Sequence, residues 1–115
     1  MNDMTEQVVS ETLTTKILAI GRRTKNASFE AIAEIRPLEI RATVQLYLGG
    51  KIDQWFFRSD SSGVVFLMNC TSASEARDIL EKLPLGVEGL MEFELIPLGP
   101  LKPLMVLLDD AHKPA

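Results

Sequence analysis

The sequence predicts an α+β domain whose elements run β-α-β-β-α-β, and three stretches carry that prediction. Residues 16–22 (KILAIGR) form a short apolar run between polar flanks. Residues 28–48 place apolar side chains at helical spacing, and residues 55–98 write two strands, a capped helix and a further strand in succession. With 115 residues, 46% of them apolar, the chain suits one domain with a real core. That domain is expected over residues 15–108, between a polar, flexible N-terminal arm (1–14), in which only Val8 and Val9 could dock, and a flexible tail (109–115).

Each element has its own chemical reason. The first strand is the run 16–22 itself, bounded by turn-prone residues. In the first helix Phe29, Ile32, Ala33, Ile40, Val44, Tyr47 and Leu48 fall on helical spacings until Gly49-Gly50 stops the pattern. Pro37 lacks an amide donor and crowds the turn before it. The expectation is therefore a short helix, a break near Arg36, and a second helix with Pro37 near its first turn. Residues 54–58 (QWFFR) and 64–70 (VVFLMNC) flank the turn-forming segment 59–63 (SDSSG), so they should pair as a hairpin.

Ser72 and Glu75 have the spacing of a capping box, the hydroxyl accepting from the Glu75 amide and the carboxylate reaching back to the Ser72 amide. Ala73, Ala76, Ile79, Leu80 and Leu83 then make one apolar face, and Pro84 is expected to end this helix. Residues 91–96 alternate, with Met91, Phe93 and Leu95 on one face and Glu92, Glu94 and Ile96 on the other, as the last core strand. This order is the ferredoxin-like arrangement of two split βαβ halves, an antiparallel sheet with both helices on one face. The opposite face carries enough apolar residues to require a cover, and dimerisation through the sheet supplies one.

Composition excludes several function classes. The net charge is −4 and the basic residues are scattered, so the footprint of a nucleic-acid binder is missing. One cysteine, Cys70, forms no disulfide within the chain, and with the lone His112 it builds no Cys/His metal site. No cofactor is expected, because no phosphate-cradling loop is present. No apolar run is long enough to span a membrane, and Asp3, Glu6 and Glu11 make the N-terminus unlike a signal peptide, so the expected location is cytoplasmic.

The segment Leu83-Pro84-Leu85 before an alternating strand, the Pro97-Leu98 exit, the long first helix, its Gly-bearing turn and the strand from Trp55 to Arg58 together resemble the muconolactone isomerase-like branch of the dimeric α+β barrel superfamily. The resemblance spans roughly residues 15–105. It implies a homodimer packed sheet against sheet into a closed barrel, or a larger ring. It also implies an activity such as shifting a lactone double bond or oxidising or cyclising an aromatic polyketide. Many catalytic members of the wider superfamily use a histidine or a basic group in the pocket. Here the only histidine lies in the tail, and proton transfer falls to carboxylates, arginine, lysine or tyrosine.

Glu39 is flanked by Ile35, Leu38, Ile40 and Ala42; at the edge of an apolar pocket its pKa would rise, fitting it to abstract a proton beside a carbonyl. The plainer alternative places it with Arg36 or Arg41 on a solvated helix face. Arg58 could hold a carboxylate or enolate in its fork of donors. Asp60 could serve as a base, or else cap its own turn. Glu92 and Glu94 suggest acid/base work or ion pairing with Arg22 or Arg58. Tyr47, Trp55, Phe57, Phe66 and Met68 could line a site for a planar apolar ligand, or simply fill the core. Cys70 reads as a small buried hydrophobe rather than a nucleophile. Pro97, Pro100 and Pro103, in step with Leu98, Leu101 and Leu104, suit an extended arm that packs on its own domain or on a neighbour.

Two functions follow from these residues and the resemblance. One is a small cofactor-free isomerase or cyclase acting on an apolar carbonyl or lactone compound, with Glu39 and Arg58 as catalytic groups. The other is a non-catalytic barrel that binds a ligand or serves as an accessory subunit. Burial of Glu39 against a cavity discriminates them.

Overall fold

The computed structural model describes residues 13–101 and Leu108. Most of the expected arm, the tail and the Pro103-Leu104 part of the proline repeat lie outside the described residues. The elements are β1 (Lys16–Arg23), α1 (Phe29–Leu48), β2 (Ile52–Phe57), β3 (Val64–Met68), α2 (Ala73–Glu81), α3 (Pro84–Val87) and β4 (Met91–Leu98). The four strands form one open sheet in the order β2-β3-β1-β4. All its pairings are antiparallel, with Ala19 opposite Phe66 on β3 and Leu95 on β4. This topology is consistent with a ferredoxin-like fold, and the expected hairpin is the β2–β3 pair.

Side-chain alternation divides the sheet into two unlike faces. Ile17 and Ala19 of β1 and Phe66 and Met68 of β3 point to the helices and pack with Ala76 and Leu80 of α2, backed by Ala42 and Leu46 of α1. Phe93 stacks on Phe66, with ring centroids 5.8 Å apart. A second, smaller cluster of Ile32, Leu85 and Leu90 ties α1 to α3 and to the approach of β4. On the other face Leu18, Ile20, Val65, Leu67 and Ile96 are only half-buried and Phe56 is 54% exposed; among the described residues both long helices pack on the opposite side. A polar rim borders this apolar centre, where Arg22 Nη2 lies 3.8 Å from Glu94 Oε1.

Three local expectations are corrected. Helix α1 runs unbroken through Pro37 for 20 residues. The proline and Ala33, whose carbonyl loses its usual donor, both lie on the exposed side, where water can satisfy that carbonyl. Good caps offset the loss: Ser28 accepts from the Ala31 amide at 3.1 Å, and the Gly49 amide donates to Gln45. In the capping box the Ser72 hydroxyl accepts from the Glu75 amide at 3.1 Å as expected. The Glu75 carboxylate, however, accepts from Thr71 one residue earlier, because Lys51 Nζ holds its other oxygen at 3.1 Å. Lastly, α2 ends at Glu81 before Pro84 is reached. Pro84 opens α3 instead, at a first-turn position where a missing amide costs nothing.

The β2–β3 turn is set by two constraints. Asp60 Oδ1 accepts from the Ser62 amide at 2.9 Å and from its hydroxyl at 2.6 Å, an Asx-turn. Gly63 brings the turn against β1 so closely that a Cβ there would overlap the Gly21 carbonyl oxygen. No described helix is long and apolar enough to cross a membrane.

Candidate functional site

Helix α1 reaches beyond the sheet it covers, because Ala42 and Leu46 meet the core while Ile40 and Val44 remain exposed at 54% and 38%. Between α1 and the β2–β3 side of the sheet lies a cleft of about 380 Å3. Phe66 and Val64 form its floor, Trp55 and Phe57 its β2 wall, and Leu85 lines it from α3. Its few polar side chains are Arg23 at the end of β1, Arg36, Glu39 and Thr43 on α1, and Ser61 in the hairpin turn.

Glu39 is half-buried on the α1 wall. Its Oε1 accepts the amide proton of Leu85 at 2.9 Å. That amide belongs to the first turn of α3, whose own N-cap, Leu83, has no side-chain acceptor to offer. Burial pushes the Glu39 carboxyl above its ordinary value, and the Leu85 amide, which favours the charged form, only partly counters this. Oε2 has no partner among the described residues, so one oxygen is fixed and the other is available to the cleft.

The guanidiniums gather toward one end. Arg23 Nη2 donates to the Ser61 carbonyl at 2.7 Å, which fixes its orientation. Arg36 forms no ion pair among the described residues. Arg58 lines a shallower adjoining recess together with Arg23 and Arg36, and its Nε lies 3.9 Å from Asp60 Oδ1. Asp60 is engaged in its own turn, and the Ser62 hydrogen bonds, helped by Arg58, hold its carboxyl below the usual range.

Of the residues singled out from the sequence, Glu39, Trp55, Phe57 and Phe66 come together in the cleft, and Arg58 stands beside it. Tyr47 meets Trp55 edge-on, with centroids 4.5 Å apart, but does not line the cleft. Met68 is fully buried in the core cluster and has no surface there. Glu92 and Glu94 point to the opposite sheet face, beside Arg22. Cys70 is buried, and desolvation, then the Glu75 charge, raises its thiol pKa, so it is a poor nucleophile. Among the described residues no cluster of His, Cys, Asp and Glu side chains is placed to hold a metal ion.

Sequence reasoning did not assign Arg23 or the Leu85 amide to a site. Both had a signal. Alternation along β1 puts Ile17, Ala19, Gly21 and Arg23 on one face, the face the helices cover. Pro84 at a helix start announces uncapped amides immediately behind it. No protein-family model matches the chain, and no curated protein matches it in sequence.

Proposed function

We propose that the chain is a small cofactor-free isomerase or cyclase that takes an apolar carbonyl or lactone compound in the cleft under α1. The single observation behind this reading is Glu39: a half-buried carboxylate on the wall of an apolar cleft, one oxygen anchored on the Leu85 amide and its pKa raised toward the range useful for proton transfer. In this reading Oε2 removes a proton from the carbon beside the carbonyl, the electron pair passes into the enolate, and the same carboxyl returns the proton further along the conjugated system. Arg23, held by Ser61, is the positioned donor for the enolate oxygen; Arg58 contributes from the recess at the mouth.

The resemblance to the muconolactone isomerase-like branch supports the same chemistry and a homodimer whose sheets cover one another's apolar faces. We place the protein in the cytoplasm, in keeping with its single free thiol. A second reading has one specific observation in its favour. The Glu39–Leu85 hydrogen bond caps α3, a structural task that a non-catalytic ligand-binding barrel would also need.

The test is a simple β,γ-unsaturated butenolide incubated in D2O and followed by proton NMR. The wild-type chain should move the double bond into conjugation with incorporation of deuterium, and Glu39→Gln, which keeps an acceptor for Leu85, should not. Equal rates for the two proteins would favour the ligand-binding reading.

A further inference from the structure

We propose that the ligand of this cleft is an apolar monocarboxylate, with its hydrocarbon or aryl body against Trp55 and Phe66 and its carboxylate held at the mouth by Arg36. The inference rests on reading the cleft as a ligand site. Three arginines from three separate segments, Arg23 from β1, Arg36 from α1 and Arg58 from the β2–β3 turn, border one recess that is continuous with the cleft through Arg23, Ile32, Arg36, Phe57 and Ser61. This concentration of positive charge runs against the net charge of −4 for the whole chain. It makes the mouth a local attractor for anions.

The three are not equivalent. Arg58 is compensated by Asp60 at 3.9 Å, and Arg23 is oriented by the Ser61 carbonyl at 2.7 Å. Arg36 forms no ion pair among the described residues, although Glu39 lies one turn along the same helix; Glu39 is turned to Leu85 instead. Of the three guanidiniums, only that of Arg36 has neither an ion pair nor a hydrogen-bond partner among the described residues, and its planar fork matches a carboxylate through two parallel hydrogen bonds. Glu39 on the cleft wall repels a second anionic group, which fixes the orientation: apolar body inward, acid outward. A cleft of about 380 Å3 lies at the small end of the range for ligand pockets and suits a compact body.

Trp55 is the only tryptophan and lines the cleft, so its fluorescence reports binding directly. The probes are 4-phenylbutanoate, its methyl ester and 4-phenylbutylamine. At low salt the acid should bind about tenfold more tightly than the ester, as expected for a charge-assisted pair, and the amine should bind most weakly. Added salt should close the gap between acid and ester. Arg36→Gln should lower the affinity for the acid to that for the ester and leave the ester unchanged. The acid–ester comparison is made on the unaltered chain, so a folding defect in the variant cannot mask it. Equal binding of acid and ester would overturn the carboxylate inference while leaving the cleft as a ligand site; no response of Trp55 to either would overturn both.

Discussion

Glu39 and Leu85 stand 46 residues apart in sequence, yet the carboxylate of one accepts the amide proton of the other at 2.9 Å and so caps, from α1, a helix that has no cap of its own. The same carboxylate lines the cleft. One side chain thus couples the geometry of the candidate site to the packing of α1 on α3, and substitutions there separate into those that keep the acceptor and those that remove it.

Glu39→Ala removes the acceptor and leaves the Leu85 amide without a partner. It should cost about 1 kcal/mol, the usual loss for an N-cap, read as a lower urea midpoint. Glu39→Gln keeps a carbonyl oxygen in place and should avoid that loss.

The pH dependence of stability has a definite sign. The folded-state pKa of Glu39 lies above its value of 4.5 in a free chain, so between the two values the folded state holds more protons than the unfolded one. Stability from this group is therefore full below the unfolded value and falls as pH rises through the folded value. Urea midpoints of wild type and Glu39→Gln should diverge above that window in favour of Gln and converge below it. A wild-type midpoint that rises relative to Gln as pH increases would contradict the burial of this carboxylate.

Gly63 and Gly21 are both tight, but their neighbours differ in kind. A methyl group on Gly63 would strike the backbone of Gly21, whereas one on Gly21 would meet the Phe93 ring, with Cε1 2.6 Å away. A ring can swing and a β1 carbonyl cannot. Gly63→Ala should cost about 3 kcal/mol, at the upper end of ordinary overpacking, and Gly21→Ala less, measured by chemical unfolding.

The second helix offers two graded changes. Ser72→Ala should cost about 1 kcal/mol through loss of the bond to the Glu75 amide. Leu80→Ala should cost about 2 to 5 kcal/mol, because Leu80 is 1% exposed in the main core and its removal leaves a cavity.

The open sheet face gives a prediction about assembly. Leu18 and Ile96 pair across β1 and β4 at the centre of that face. Light scattering should report at least twice the chain mass of 12.8 kDa for the wild type. Leu18→Lys or Ile96→Lys should shift the population toward monomer, and a wild-type monomer at micromolar concentration would contradict a sheet-to-sheet barrel.

The order of elements was legible because it rests on local chemistry: the Ser28 and Ser72 caps, the Asp60 turn and the alternation around Phe93 each act within a few residues. Pro37 was misleading because its cost depends on which side of α1 faces water, a tertiary fact. In the cleft, Glu39 stood out as a charge among apolar neighbours. Arg23 and the Leu85 amide did not, because their meeting with it depends on how α1 crosses the sheet and on a four-residue helix that periodicity does not register. Met68 illustrates the opposite problem, since an apolar strand residue looks the same in sequence whether it lines a cleft or fills the core.

Direct titration of Glu39 tests the central claim most plainly. In protein labelled with 13C at glutamate side chains, the Glu39 carboxyl signal, assigned by its absence in Glu39→Gln, should titrate with a midpoint above 4.5 and move when a ligand enters the cleft. A midpoint at or below that value, unaffected by ligand, would contradict a buried proton-transfer group and leave Glu39 as the cap of α3 alone.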